Sequence, residues 1–189
     1  YQGVQQFLPD SLFPLLNMMQ GVIQRGTGRI VRKMGFKHPS AGKTGTTNDF
    51  KDAWFNAFTK DISASVWVGF DNNESMKTKS GKGLTGASAA APIWVHFMQK
   101  VLEGKNPVNF PVPEKIKFAT VDVQTGYLAQ EFSLETLQVA VKEDVDLSPP
   151  AVLSGEQEPD ETGLLPDPVV IKKSENVVIP EKKNVVPNP

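Results

Sequence analysis

One stretch of this chain, residues 41–55, limits most strongly what it can fold into. It contains the run Lys-Thr-Gly-Thr-Thr at residues 43–47, which combines a cation, hydroxyls and a glycine. In a β-strand, Lys43, Gly45 and Thr47 face one side while Thr44 and Thr46 face the other. Gly45 has no side chain, so a ligand can approach the backbone closely there. The pattern predicts a strand whose edge binds anions.

The residues after this strand predict a hairpin that pairs with it. Ala53 to Thr59 is rich in aromatic residues, and Ser63 to Phe70 alternates small or polar residues with large ones. Lys60-Asp61 is short enough to connect two antiparallel strands. The polar, glycine-containing segment from Asp71 to Gly86 is expected to be an exposed loop.

Two amphipathic helices are expected on either side of the strands. The first has Asp10 or Ser11 as its N-cap, and its apolar stripe is Leu15, Met18, Met19, Val22 and Ile23. It ends at the Gly26-Thr27-Gly28 turn, and Arg29 to Lys33 is expected to form a short strand. The second helix runs from Ala87 to Glu103, with Pro92 as a kink or a late start. The predicted fold class is therefore α+β, an antiparallel sheet of about three to five strands with packed helices.

The C-terminal part of the chain predicts a small extension and then a tail. Ile116 to Val123 favours a strand that turns at Thr125-Gly126. After about Asp144 the sequence is rich in proline and charge without a sustained period, which is typical of disorder. We divide the chain into residues 1–107, a β-rich extension at 108–144 and a flexible acidic, proline-rich tail at 145–189.

Composition excludes several classes of site. The chain has no cysteine, and its formal net charge is -1, which does not indicate a nucleic-acid partner. His38 and His96 are isolated, so no metal site is expected, and no cofactor is implied. The N-terminus has no initiator methionine and no apolar run that could cross a bilayer. We expect the sequence to be a piece of a longer protein.

The residues of the opening stretch suit recognition of a carboxylate beside a carbonyl under attack. The Lys43 ammonium supplies a positive field, and the hydroxyls of Thr44 and Thr46 can donate directional hydrogen bonds. A backbone N–H next to Gly45 can face a developing oxyanion, where one donor contributes roughly 2.7 to 4 kcal/mol.

Four blocks, in order, resemble the C-terminal part of the transpeptidase domain of class A penicillin-binding proteins: Gln20–Arg29, Ala41–Phe55, Val66–Asp71 and Ala89–Trp94. The resemblance covers residues 1–107 closely and continues more loosely to residue 136. It implies a serine acyl-transferase that cross-links peptidoglycan stem peptides ending in D-Ala-D-Ala and is acylated by β-lactams. It also implies a position on the periplasmic face of the bacterial inner membrane, with an anchor and a glycosyltransferase domain outside this sequence.

The same resemblance implies roles for individual residues. Lys43 maintains the field and proton network around the nucleophile, and Thr44 and Thr46 hold the carboxylate of the D-Ala-D-Ala end or of the antibiotic. The Thr46 N–H is one arm of the oxyanion hole. Gly45 and Thr47 complete the predicted substrate-binding set.

Two motifs that this mechanism needs, Ser-x-x-Lys and Ser-x-Asn, lie upstream of residue 1 in the family. Ser40 to Lys43 reads Ser-x-x-Lys, but positions three apart on a strand point to opposite faces. Ser174 to Asn176 reads Ser-x-Asn within the expected tail. We therefore predict that this chain alone has no acyl-transfer activity, and that its partner is the missing part of the same protein.

Other interpretations remain open at this point. The chain is alternatively a non-catalytic module that binds wall peptide or a partner protein through the Lys43 strand or the tail. Asp49 and Asp52 can be read as an acid/base pair, although solvated turn carboxylates explain them better. Thr27 fits a helix-terminating turn better than a ligand contact, and the tryptophans fit the core or its rim.

Overall fold

The computed structural model describes residues 7–149, and the predicted tail lies almost entirely outside them. The chain begins with helices α1 (Pro9–Gln24) and α2 (Ile30–Lys33), followed by strands β1 (Ala41–Thr46), β2 (Asp52–Phe58) and β3 (Ser63–Gly69). A π-helical turn (Gly86–Ala90) leads into α3 (Ala91–Val101), and β4 (Ile116–Asp122) and β5 (Thr136–Lys142) form a separate two-stranded sheet. Among the described residues, no helix is long and apolar enough to span a membrane.

The predicted hairpin and its pairing with the Lys43 strand are confirmed. The three-stranded sheet has the order β1-β2-β3, and both pairings are antiparallel. Thr44 lies opposite Phe55, and Thr46 lies opposite Ala53. Because directly opposite residues of an antiparallel pair share a face, both threonines lie on the face that carries Phe55 and Ala53; Thr44 is half-buried there and Thr46, at the end of the strand, is exposed.

Helix α3 covers the part of that face formed by β2 and β3 and holds these two strands together. Trp94 is fully buried, and its indole Nε1–H donates to the carbonyls of Ala57 on β2 and Ala64 on β3, at 3.2 Å each. Its ring meets Phe55 edge-on at a centroid distance of 5.5 Å. Such pairs contribute about 0.5–1.5 kcal/mol beyond area burial. Trp54 and Trp67, on the opposite face, are 41% and 42% exposed and belong to the rim.

The start of α1 differs from the sequence-based prediction. The N-cap is Leu8, without a side-chain capping bond, and Pro9 follows within the first turn. Proline suits that position because the first helical N–H groups have no intrahelical partner. The stripe that predicts the helix is only partly covered: Ile23 is fully buried, whereas Leu15 and Met18 are 54% and 66% exposed.

The predicted strand at Arg29 to Lys33 is wrong, because residues 30–33 form helix α2. The Lys33 N–H donates to Arg29 O and the Met34 N–H to Ile30 O, at 3.2 and 2.9 Å. Val31 is fully buried in the core, and the helical turn is what points it there. Tertiary packing has overridden the weak β propensity of Ile-Val.

Helix α3 has the late start that Pro92 allows. The π-helical turn before it begins with a capping box, in which Thr85 Oγ1 accepts from the Ser88 N–H and Ser88 Oγ accepts from the Thr85 N–H. Pro92 then occupies the first turn of α3, where it costs no hydrogen bond. The loop before it is mainly exposed as predicted, except that Met76 and Gly86 are buried.

The β4–β5 sheet packs against α1. The Phe13 and Phe118 rings meet edge-on at 6.2 Å, and Asn17 Oδ1 accepts from the Ala140 N–H at 3.1 Å. The predicted turn after β4 is present: Gly126 has φ +76°, and Asp122 Oδ1 accepts from the Thr125 N–H. The domain boundaries at residues 107 and 144 remain predictions.

Candidate active site

The predicted site residues lie on β1, an edge strand of the sheet. Lys43 is exposed and its Nζ donates to the Thr44 carbonyl at 2.8 Å, while Thr44 and Gly45 are half-buried. Thr46 ends the strand, and Thr47 lies just beyond it. Within the described part of the chain no strand pairs with the outer side of β1, so its backbone groups are available to a ligand there.

The hydroxyl of Thr46 is held by the π-helical turn. The Gly86 N–H donates to Thr46 Oγ1 at 3.1 Å. A hydroxyl has one donor and two acceptor positions, so this bond occupies an acceptor and leaves the Thr46 O–H free to donate. Gly86 can approach this closely because it has no side chain: a Cβ there would lie 2.6 Å from Gly45 O and closer still to Trp54 O.

The hydroxyl of Thr44 has a partner that the sequence did not predict. Thr27 Oγ1 lies 2.7 Å from Thr44 Oγ1, and either atom can donate. When Thr27 donates, the Thr44 O–H is left for a ligand, as it is at Thr46. The prediction treated Thr27 mainly as part of a helix-terminating turn. The Gly-Thr-Gly sequence was the available signal, but only the fold brings it to β1.

The side chains of Thr47 and Asp52 hydrogen-bond to each other rather than to the hydroxyls of Thr44 and Thr46. Thr47 Oγ1 donates to Asp52 Oδ2 at 3.1 Å and accepts from the Asp52 N–H at 2.8 Å. The other Asp52 oxygen accepts from Trp67 Nε1–H at 2.9 Å. This carboxylate is therefore engaged in holding the turn between β1 and β2. Asp49, in the same turn, has φ +60°, and its carbonyl accepts from Ser75 Oγ.

The literal Ser-x-x-Lys match does not have the geometry of a nucleophile motif. Ser40 precedes β1 and is 1% exposed, whereas Lys43 points to solvent. Ser40 Oγ has no hydrogen-bond partner within the described residues. The match Ser174 to Asn176 lies outside them.

Comparisons with known proteins agree with the resemblance found from the motifs. Penicillin-binding protein 1A of Pseudomonas aeruginosa is 36% identical over 159 residues, covering 79% of this chain. The corresponding protein of Rickettsia conorii is 34% identical over 139 residues, covering 70% of this chain. The chain is a homologue of penicillin-binding protein 1A. It spans 18% and 17% of the length of these two relatives. No family model matches it.

Solved structures of penicillin-binding proteins share its fold. The crystal structure of penicillin-binding protein 1A from Haemophilus influenzae superposes with a TM-score of 0.61 at 26% identity, covering 74% of this chain and 21% of that one. A penicillin-binding protein of Mycobacterium tuberculosis gives 0.50 at 29% identity, covering 59% of this chain and 30% of that one. The predicted α+β class is confirmed.

Proposed function

We propose that this chain forms the Lys-Thr-Gly wall of a serine D,D-transpeptidase site that cross-links peptidoglycan stem peptides and is acylated by β-lactams. The observation that carries this proposal is the pair of hydroxyls on one face of β1. Gly86 N–H occupies an acceptor of Thr46, and Thr27 can do the same for Thr44. Two O–H donors two residues apart on an edge strand suit the two oxygens of a peptide carboxylate.

Each residue of the wall has a role in this proposal. Thr44 and Thr46 donate to the C-terminal carboxylate of the D-Ala-D-Ala end or of the antibiotic. The backbone N–H of Thr46 faces the oxyanion, and Gly45 allows the ligand to lie close to the strand. Lys43 supplies the positive field. In the complete site its ammonium group leaves the Thr44 carbonyl and points towards the nucleophile. Thr47 contributes by fixing the end of the strand, since Asp52 engages its hydroxyl.

We propose that the nucleophilic serine belongs to a part of the protein outside this sequence. Two exposed apolar faces support a larger assembly. On α1, Leu8, Leu12, Leu15 and Met18 recur at helical spacing and are 43 to 66% exposed. On α3, Ile93 and Phe97 lie one turn apart and are 51% and 49% exposed. Helices that are apolar on more than one face are typical of protein interiors.

By analogy with class A penicillin-binding proteins, we place the whole protein on the periplasmic face of the inner membrane. A glycosyltransferase domain and a membrane anchor outside this sequence belong to the same proposal.

Replacement of Thr44 by valine in the full-length protein tests the assignment. The two side chains are nearly isosteric, so the change removes the hydroxyl with little change in packing. A hydrogen bond to a charged group contributes about 1.5–3 kcal/mol, which predicts acylation by a fluorescent penicillin slower by roughly ten- to a hundredfold. Thr120→Val, on β4, is the matched control and should keep the normal rate. An unchanged rate in Thr44→Val would remove Thr44 from the site.

A further inference from the structure

A cavity of about 850 Å³ lies next to the end of α1 and contains an unusual concentration of positive charge. We call it the basic cavity, and its polar lining residues are Arg25, Thr27, Arg29, Lys33, Lys82 and Ser88. Ile30, Ala87 and Pro92 supply apolar surface between them. The lining contains no acidic residue and no aromatic ring.

The four cations of the basic cavity have no counterion within the described residues. The ion pairs there are Lys100 with Glu103 and Lys142 with Asp10, neither of which reaches the cavity. The sequence explains this absence. The two segments that form the cavity, residues 11–48 and residues 75–102, contain no aspartate or glutamate. Both segments contain several lysines or arginines. Unpaired like charges around a concave surface reinforce one another and attract an anion.

The basic cavity adjoins the proposed carboxylate site through one side chain. Thr27 lines the cavity, and its Oγ1 is 2.7 Å from Thr44 Oγ1. Only the Thr27 side chain therefore separates the cavity from a ligand whose C-terminal carboxylate binds at Thr44.

We propose that the basic cavity is an anion subsite that takes a second carboxylate of the peptide whose C-terminal carboxylate binds Thr44 and Thr46. This inference rests on the proposed function and adds a preference for acidic peptides. The volume lies in the range of small-ligand pockets, about 300–1,000 Å³. Nucleic acid fits less well, because the cavity has no aromatic side chain for base stacking and the whole chain has a net charge of -1.

The test uses the full-length protein and two peptides that end in D-Ala-D-Ala. The residue before D-Ala-D-Ala is glutamate in one peptide and glutamine in the other, and the peptides are otherwise identical. The measured quantity is the ratio of kcat/KM for release of the terminal D-Ala. A ratio is unaffected by the fraction of folded enzyme. The wild-type protein should prefer the glutamate peptide by about tenfold, the effect of one charge-assisted contact.

Two double variants with the same change of charge locate the effect. Arg29→Gln with Lys33→Gln, inside the cavity, should bring the ratio close to one. Lys77→Gln with Lys79→Gln, in the exposed loop and outside the cavity lining, should keep the wild-type ratio. Equal ratios in the wild type and in the cavity variant would overturn the subsite. Competition by a single-stranded oligonucleotide, with no difference between the two peptides, would assign the charge to a polyanion and also overturn it.

The subsite and the underlying function fail in different ways. If the subsite is wrong, penicillin still acylates the wild-type protein and both peptides are turned over equally. If the proposed function is wrong, penicillin forms no adduct and neither peptide loses D-Ala, which overturns both proposals.

Discussion

Gly86 connects the fold to the site, and its replacement by alanine should damage both. A Cβ at Gly86 would lie 2.6 Å from Gly45 O and within the contact distance of Trp54 O. Both are backbone atoms of paired strands, which cannot move aside by a rotamer change. The π-helical turn must therefore withdraw from β1.

The size of the effect follows from two contributions. Overpacking of this kind costs about 1–3 kcal/mol, and loss of the Gly86 N–H to Thr46 bond adds about 0.5–1.5 kcal/mol. Their sum is a destabilisation of roughly 1.5–4.5 kcal/mol. Thr46 also loses the donor that fixes its hydroxyl, and a misplacement of ~1 Å at a reacting centre can slow a reaction by roughly a hundredfold.

The assay combines denaturant unfolding of the full-length protein with its rate of acylation by a fluorescent penicillin. Ala89→Gly, in the same π-helical turn, is the control, because it costs about 1 kcal/mol of helix propensity without adding an atom. Gly86→Ala should lose more stability than this control and acylate far more slowly. If Gly86→Ala matched Ala89→Gly in both measurements, the close contact between the turn and β1 would be refuted.

Two further predictions concern the β4–β5 sheet. Asn17→Ala leaves the buried Ala140 N–H without an acceptor, at a cost of about 1–3 kcal/mol. Hydrogen exchange of the Ala140 amide should therefore accelerate. Unchanged exchange would show that this bond does not hold the sheet to α1. Hydrogen bonds from the Thr125 N–H and then from the Ser133 hydroxyl lower the pKa of Asp122, so the turn is stabilised above the ordinary aspartate pKa of about 4 and loses that stabilisation as the pH falls through the lowered value. An NMR titration of Asp122 should give a midpoint below the ordinary value, and a midpoint at or above it would contradict this interpretation.

The sequence predicted the sheet well because its signals are local. The period of two in β2 and β3, and the short Lys60-Asp61 connection, specify a hairpin without any distant contact. Arg29 to Lys33 was misassigned for the opposite reason. Its β-branched pair favours a strand, but burial of Val31 in a core built from distant elements favours a helical turn.

The placement of the candidate site residues on one strand was predicted, whereas their hydrogen-bond partners depend on long-range contacts and were missed. The motif placed Thr44 and Thr46 on one face of a strand, and the register agrees. Thr27 is 17 residues from Thr44, and Gly86 is 40 residues from Thr46, so neither hydrogen bond has a signature in a short window. The absence of acidic residues from two segments was visible in the sequence, but only the fold shows that these segments enclose one cavity.

We propose that this chain supplies one wall of a transpeptidase site and that the nucleophile lies elsewhere in the protein. Labelling the full-length protein with penicillin, followed by digestion and mass spectrometry, tests this most directly. We expect a penicilloyl adduct on a serine outside these 189 residues, and no stable adduct on the 189-residue chain alone. An adduct on a serine of this chain, such as the buried Ser40, would contradict it.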